Sequence, residues 1–311
     1  MGNIWKGLAL LAAIGLLLGT SAQAGTVLIV SDCNAPDVVD GDHNDDEMVT
    51  YLEGLGYTVD TSGMGKAMRE GDNGPWGSSA GSADKLQALN DADLILVSRR
   101  TSSGSYDNDR KGWNELETPL VLMSGYLTRG GGQNKWGWTV GASGNAATSV
   151  ETMDIDAGQT AHPFVAGVTG PVQLFDWPGD PAAAPKAVYL PNKDGTSDPV
   201  SAATVVGTFD GRTYLMDIPA GTDLDPDNGS TDKYGVTGAR RAFMGHWGYD
   251  DSPTGTNGSD GGPSDFADYI TADFEAVLGN AISTLIPEPG TVTMLIAGLL
   301  GLALYGWRRR K

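Results

Sequence analysis

Residues 26–30, Thr-Val-Leu-Ile-Val, form an unbroken apolar and β-branched run, the pattern of a strand covered on both faces. Met48, Val49, Tyr51, Leu52 and Leu55 then recur at helical spacing behind Asp45 and Asp46, which stand where an N-cap belongs, and Gly54 and Gly56 end the helix. Residues 57–60 read as a second strand. Helical patterns over 83–89 and 107–116 alternate with strand patterns over 93–98 and 118–124. Four strands separated by helices predict an α/β fold: a flavodoxin-like parallel sheet with right-handed crossovers and helices on both faces. From Trp136 the rhythm shortens into β-rich pieces at 150–155, 172–175, 186–190, 204–209 and 213–217, a β-rich insertion in which Asp210-Gly211 is a hairpin turn. Residues 240–245 read as a further strand. A final helix over 266–285 carries Ile270, Phe274, Val277, Leu278 and Ile282 on one face.

The two ends follow different rules. Residues 1–24 combine Lys6, an apolar run from Gly7 to Gly19, and Ala22-Gln23-Ala24 with small residues at both specificity positions. This is a secretory signal peptide that signal peptidase removes before Gly25. At the other end Pro287-Glu288-Pro289 precedes an apolar stretch over 290–307 and the basic cluster Arg308-Arg309-Arg310-Lys311. Eighteen helical residues rise about 27 Å, enough for one C-terminal transmembrane helix, and the basic cluster keeps the positive end in the cytoplasm. The body, residues 25–286, is therefore expected outside the inner membrane as one domain.

This tripartite tail resembles the PEP-CTERM sorting signal of Gram-negative bacteria, through Pro287, Glu288, Pro289, the span and the cluster Arg308, Arg309, Arg310. The resemblance covers about the last 25 residues. It implies recognition and removal of the tail by an exosortase of the inner membrane, and release toward the cell envelope or an exopolysaccharide matrix.

Charge narrows the partners of the body. The chain carries 39 acidic against 20 basic side chains, a net charge of -19. Removing both ends, with Lys6 and the terminal basic cluster, leaves the body more acidic still. Such a surface repels nucleic acid and anionic lipid and attracts divalent cations. The single Cys excludes an internal disulfide in the exported chain.

The body also resembles the class I glutamine amidotransferase-like superfamily, in particular its ThuA-like branch. The likeness rests on the first strand with its acidic exit, the strand over 94–98, the run His162-Pro163-Phe164-Val165-Ala166-Gly167-Val168, Arg241-Ala242-Phe243-Met244-Gly245-His246, and the last helix with Asn280-Ala281-Ile282. The nucleophilic Cys that the superfamily's amidotransferases hold on a Gly-flanked elbow has no counterpart, Met123-Ser124-Gly125 being the nearest substitute.

In an open parallel sheet, ligands bind beyond the carboxyl ends of the strands. Those exits place Asp32 and Cys33, Ser102, Ser124, and His246 with Trp247 as candidates. A hydrolase would need Ser124, His246 and Asp32 in one pocket, or Cys33 with a histidine base. Trp136 and Trp138 flank Gly137, so a strand there would aim both rings to one face as a platform for a sugar. His162, before a proline, is a further ligand contact. Asp40 with Asp42, and Asp223 with Asp225 and Asp227, have the alternate spacing of calcium loops, but both runs lack the turn glycine and terminal Glu of an EF-hand. Calcium is the cation such loops would take. Three readings follow: an exported envelope or matrix protein that binds a ligand or exopolysaccharide glycan without turnover, a carbohydrate-active hydrolase, or a purely structural matrix component.

Overall fold

Nine strands form one mixed sheet in the order β2 (Thr58–Asp60), β1 (Thr26–Val30), β3 (Leu94–Val97), β4 (Leu120–Leu122), β11 (Arg241–Met244), β10 (Arg212–Ile218), β9 (Thr204–Phe209), β6 (Thr152–Ile155) and β7 (Val172–Gln173). The computed structural model describes residues 25–33, 45–98, 101–141, 144–145, 152–174, 190–191, 198–245 and 270–286. Residues 1–24, residues 287–311 with the expected span at 290–307, and Asp40, Asp42, His246 and Trp247 lie outside the described residues. Among the described residues no helix is long and apolar enough to cross a membrane. Residues Thr26–Ile286 make one compact unit.

The first half follows the apolar runs. Strands β1 (Thr26–Val30), β2 (Thr58–Asp60), β3 (Leu94–Val97) and β4 (Leu120–Leu122) pair in parallel, and β11 (Arg241–Met244) joins β4, also in parallel. Every residue of β3 and β4 is buried, as unbroken apolar strands require. Three connecting helices are described: α1 (Asp46–Gly54), α2 (Ser82–Asp91) and α3 (Arg110–Glu115). Helix α1 ends where Gly56 takes a φ of 92° and donates its N–H to the Glu53 carbonyl at 2.8 Å. Helix α3 starts later than its pattern suggests. Asn108 is held by Glu70, which accepts its backbone N–H at 2.6 Å and its side-chain amide at 2.7 Å, so the chain cannot yet coil.

The second half departs from an all-parallel sheet. Its β-rich pieces extend the same sheet: β10 (Arg212–Ile218) pairs antiparallel with β11, β9 (Thr204–Phe209) with β10, β6 (Thr152–Ile155) with β9 and β7 (Val172–Gln173) with β6. The cause is local. Asp210 and Gly211 both have positive φ, 46° and 71°, the two-residue turn whose twist suits a hairpin, so β9 and β10 must run antiparallel. Two short strands, β5 (Gly144–Asn145) and β8 (Leu190–Pro191), pair separately.

Helix α4 (Ala272–Leu285) closes the body. The Thr271 hydroxyl caps it by accepting the Phe274 N–H at 3.2 Å, and Phe274, Val277, Leu278, Ala281, Ile282 and Leu285 are buried. Tyr51 of α1 donates its hydroxyl to the Glu275 carbonyl at 2.6 Å, so α1 and α4 lie side by side. Neighbouring strand residues point to opposite faces. Arg240 reaches Asp217 and the Phe164 ring, beside which α4 packs, whereas Arg241 reaches the carboxyl end of α3. Helices α3 and α4 therefore cover opposite faces of the sheet.

The expected strand around Trp136 and Trp138 does not form. Gly137 between them has a φ of 74°, and a Cβ there would stand 2.5 Å from the Tyr234 ring. Both tryptophans are fully buried: Trp136 stacks on Trp113 at 5.2 Å, and the Trp138 indole N–H donates to Asn114 Oδ1 at 2.8 Å. They fill the core and offer no exposed platform to a sugar.

Candidate functional site

The order β2-β1-β3-β4 reverses direction between β1 and β3, and the chain leaves both strands at the same edge. This is the crevice where sheets of this kind bind ligands. Two carboxylates stand there, each held by side chains distant in sequence.

Asp32, the second residue after β1, accepts four hydrogen bonds. Its Oδ1 takes Arg69 Nε at 2.9 Å and the Tyr106 hydroxyl at 3.0 Å, while Oδ2 takes Arg69 Nη2 at 2.7 Å and the Ser102 backbone N–H at 2.9 Å. A bidentate guanidinium plus two further donors occupies both oxygens, so the group clamps three chain segments together. The same bonds act back on the donors. The Asp32 hydrogen bond holds the Arg69 guanidinium above its ordinary pKa, and burial, followed by the Asp32 charge, pushes the Tyr106 hydroxyl up. Arg69 is the more exposed partner of the ion pair, with 36% of its side chain accessible against 14% for Asp32.

Asp45 is 3% exposed. Its side chain makes no cap for α1 and crosses instead to two serines: Ser31 donates to Oδ2 and Ser98 to Oδ1, the latter at 2.7 Å. Register explains the pair. Val30 lies opposite Val97, so the next residues, Ser31 and Ser98, stand side by side on one face and each meets one oxygen of the carboxylate. Cys33 is buried beside them, with its backbone N–H on Ser31 Oγ at 3.0 Å. A thiol enclosed in this way is not presented to a substrate.

Ser124, at the exit of β4, is fully buried, and its hydroxyl has no hydrogen-bond partner among the described residues. Strand β3 lies between it and Asp32, a separation of roughly 10 Å at two interstrand steps. The described members of the expected Ser124, His246 and Asp32 group are thus not brought together. Ser102 contributes its backbone N–H to the clamp, and its residue is exposed.

His162 lies at the opposite edge of the sheet. Its Nδ1 accepts the Phe164 N–H at 3.2 Å, which leaves Nε2 to donate to Asp217 Oδ2 at 3.3 Å, and Asp217 also takes both Arg240 nitrogens, at 2.7 and 2.6 Å. Burial pushes the imidazole below its ordinary value of 6.5, against the raising pull of Asp217 and with a further lowering from Arg240. The unfolded chain therefore binds this proton more readily than the folded one. Its contribution to stability is full above the unfolded value and declines as pH falls below it toward the folded value. Between about pH 7.5 and about pH 5.5, the urea midpoint of the natural protein is expected to fall more than that of a His162→Gln variant. Equal losses would show that the imidazole does not titrate in this window.

The aspartates of the second proposed calcium loop have other duties. Asp225 is 5% exposed and accepts the backbone N–H groups of Lys233, Tyr234 and Gly235 at 2.7, 2.9 and 2.8 Å. Asp223 accepts the Asp225 N–H at 3.1 Å, and Asp227 holds Ser201 through its N–H and hydroxyl. The alternate spacing builds a turn in which each of the three aspartates accepts protein hydrogen bonds, Asp225 through both oxygens. Among the described residues no three His, Cys, Asp or Glu side chains gather as a metal site.

Arg69, Tyr106 and Asp45 are the members that sequence reasoning overlooks or misassigns. Only Asp45 carries a signal, its place before a helix, and that signal points to capping.

Residues 285–311 match the PEP-CTERM protein-sorting motif. This motif marks an exported protein that is membrane-anchored until an exosortase processes it. No curated protein matches the chain. Two solved structures from Salmonella typhimurium are similar to it: "Cytoplasmic Protein STM3548", at 11% identity and a TM-score of 0.43, and "Cytoplasmic Protein STM1381", from LT2, at 11% identity and a TM-score of 0.44. Each alignment covers 84% of this chain, and 98% and 99% of the respective relative.

Proposed function

We propose that the released body is an amidotransferase-like α/β module of the cell envelope or exopolysaccharide matrix, and that it binds its ligand at the β1/β3 crevice without turning it over. The parallel order β2-β1-β3-β4-β11 is that of flavodoxin-like sheets, which supports placing the ligand there. The observation that carries the reading is the occupation of Asp32. A general base needs a free lone pair aimed at the proton it removes, and both Asp32 oxygens are engaged by Arg69, Tyr106 and the Ser102 N–H. The clamp fixes the crevice wall and leaves the Arg69 guanidinium partly accessible beside it, a donor for hydroxyl or carboxylate groups of a glycan.

The test is equilibrium binding of the mature protein to exopolysaccharide from the producing cells, with hydrolysis assays on ester, amide and glycoside libraries. Arg69→Ala, which removes both the exposed donor and the clamp, is expected to weaken binding about tenfold or more. Turnover of any library member, or undiminished binding by Arg69→Ala, would overturn the reading.

A further inference from the structure

The sorting motif and the folded body share residues. The match to the motif begins at residue 285, yet Leu285 and Ile286 are 4% and 5% exposed and belong to the core. Leu285 ends α4, and the Ile286 N–H donates to the Ile282 carbonyl at 2.9 Å, which closes the last turn. Earlier turns are fastened by polar contacts to other elements. The Thr271 N–H donates to the Leu174 carbonyl at 3.1 Å, Tyr51 holds the Glu275 carbonyl at 2.6 Å, and Asn280 Nδ2 donates to the Ala166 carbonyl at 2.9 Å. The last turn is held by burial of its apolar side chains.

Pro287 follows Ile286 with no spacer, and only residues 287–289 separate Ile286 from the apolar run that begins at Gly290. Three residues reach about 10 Å at full extension. Peptide segments are commonly gripped in extended form, so that backbone groups pair with the partner and alternate side chains enter its pockets. On the body side of Pro-Glu-Pro, the residues available for such a grip are those of a docked helix.

We infer that the last turn of α4, residues 282–286, leaves the core before the sorting peptidase engages, so that Leu285 and Ile286 serve in turn as core residues and as part of the recognised segment. This inference rests on the exosortase reading above. Helix ends open at lower cost than the body unfolds, and the rate of engagement scales with the fraction of chains in which the turn is open. The docked turn thus sets how long the folded protein stays tethered. The covalent step itself breaks one peptide C–N bond. The acyl carbon passes to the peptidase's nucleophile and then to water or an amine acceptor, and the tail leaves with a protonated nitrogen.

The experiment follows conversion of the full-length chain to its shorter form by pulse–chase in exosortase-bearing cells. A flexible Gly-Ser spacer of about six residues between Ile286 and Pro287 supplies free residues on the body side, and is expected to speed conversion about fivefold or more. The same spacer between Pro289 and Gly290 leaves the overlap in place and is expected to give no acceleration. An unchanged rate with the first spacer, or equal acceleration by both, overturns the inference. Failure of the sorting reading looks different: no conversion of the natural chain, or full-rate conversion of a Pro287→Ala, Glu288→Ala double variant.

Discussion

Replacing Arg241 with alanine is expected to lower the unfolding free energy by about 3–5 kcal/mol, one of the two largest single-residue effects foreseen for this protein. The side chain is fully buried on the α3 face of the sheet. Its Nη1 donates to the Thr118 carbonyl at 2.8 Å, and its Nη2 to the Asn114 and Leu116 carbonyls at 2.8 and 2.6 Å. The last carbonyls of a helix lack intrahelical partners, and in α3 the guanidinium supplies them. Burial lowers its pKa to about 9, which leaves the group charged at neutral pH, where a cation at a helix carboxyl end is favoured. Alanine would remove these donors and open a large cavity between β11 and α3. Lysine keeps the charge but not the planar fork, so Arg241→Lys should recover only part of the loss. Urea denaturation measures both, and a midpoint unmoved by Arg241→Ala would mean that α3 does not depend on this contact.

The contrast between Arg240 and Arg241 shows where sequence reading succeeds and where it stops. The strand is legible from its apolar residues, and alternation already sends the two arginines to opposite faces. Nothing in the pattern says that one meets Asp217 and the other a helix end, because both partners come from remote parts of the chain. Strand β1 and the β9–β10 hairpin were readable for the same reason: an unbroken apolar run and an Asp-Gly turn are local signals. The crevice was half readable. Asp32 follows β1 directly, but Arg69 lies 37 residues away, in a turn-rich stretch without periodicity. Asp45 misleads because an acidic residue before a helix ordinarily caps it, and here two serines in register just beyond β1 and β3 compete successfully for the carboxylate. The two tryptophans mislead through spacing, since an i, i+2 pair suggests a strand until the positive φ of Gly137 is known.

Asp225→Ala should cost about 2–4 kcal/mol at neutral pH and progressively less in acid. Three backbone N–H groups converge on the carboxylate, and two of them belong to the buried residues Tyr234 and Gly235. Burial alone would raise this carboxyl's pKa. The N–H groups of Tyr234, Gly235 and Lys233, with the Ser230 side chain, together outweigh it and hold the group below its ordinary value of 3.8. The unfolded chain therefore takes up the proton first. The stabilisation is complete above the unfolded value and is lost as pH falls through the folded one, so natural and variant proteins should converge in stability at low pH. A difference that stays constant from about pH 6 to about pH 2.5 would show that the carboxylate is not the source. The effect should also reach the aromatic core. The Tyr234 carbonyl accepts from Asn114 Nδ2 at 2.8 Å, the same amide donates to the Trp136 carbonyl at 2.8 Å, and Asn114 Oδ1 accepts from Trp138. Releasing the turn at Asp225 removes the support behind that asparagine, so the near-ultraviolet circular dichroism of the tryptophan cluster should weaken at denaturant concentrations too low to unfold the sheet.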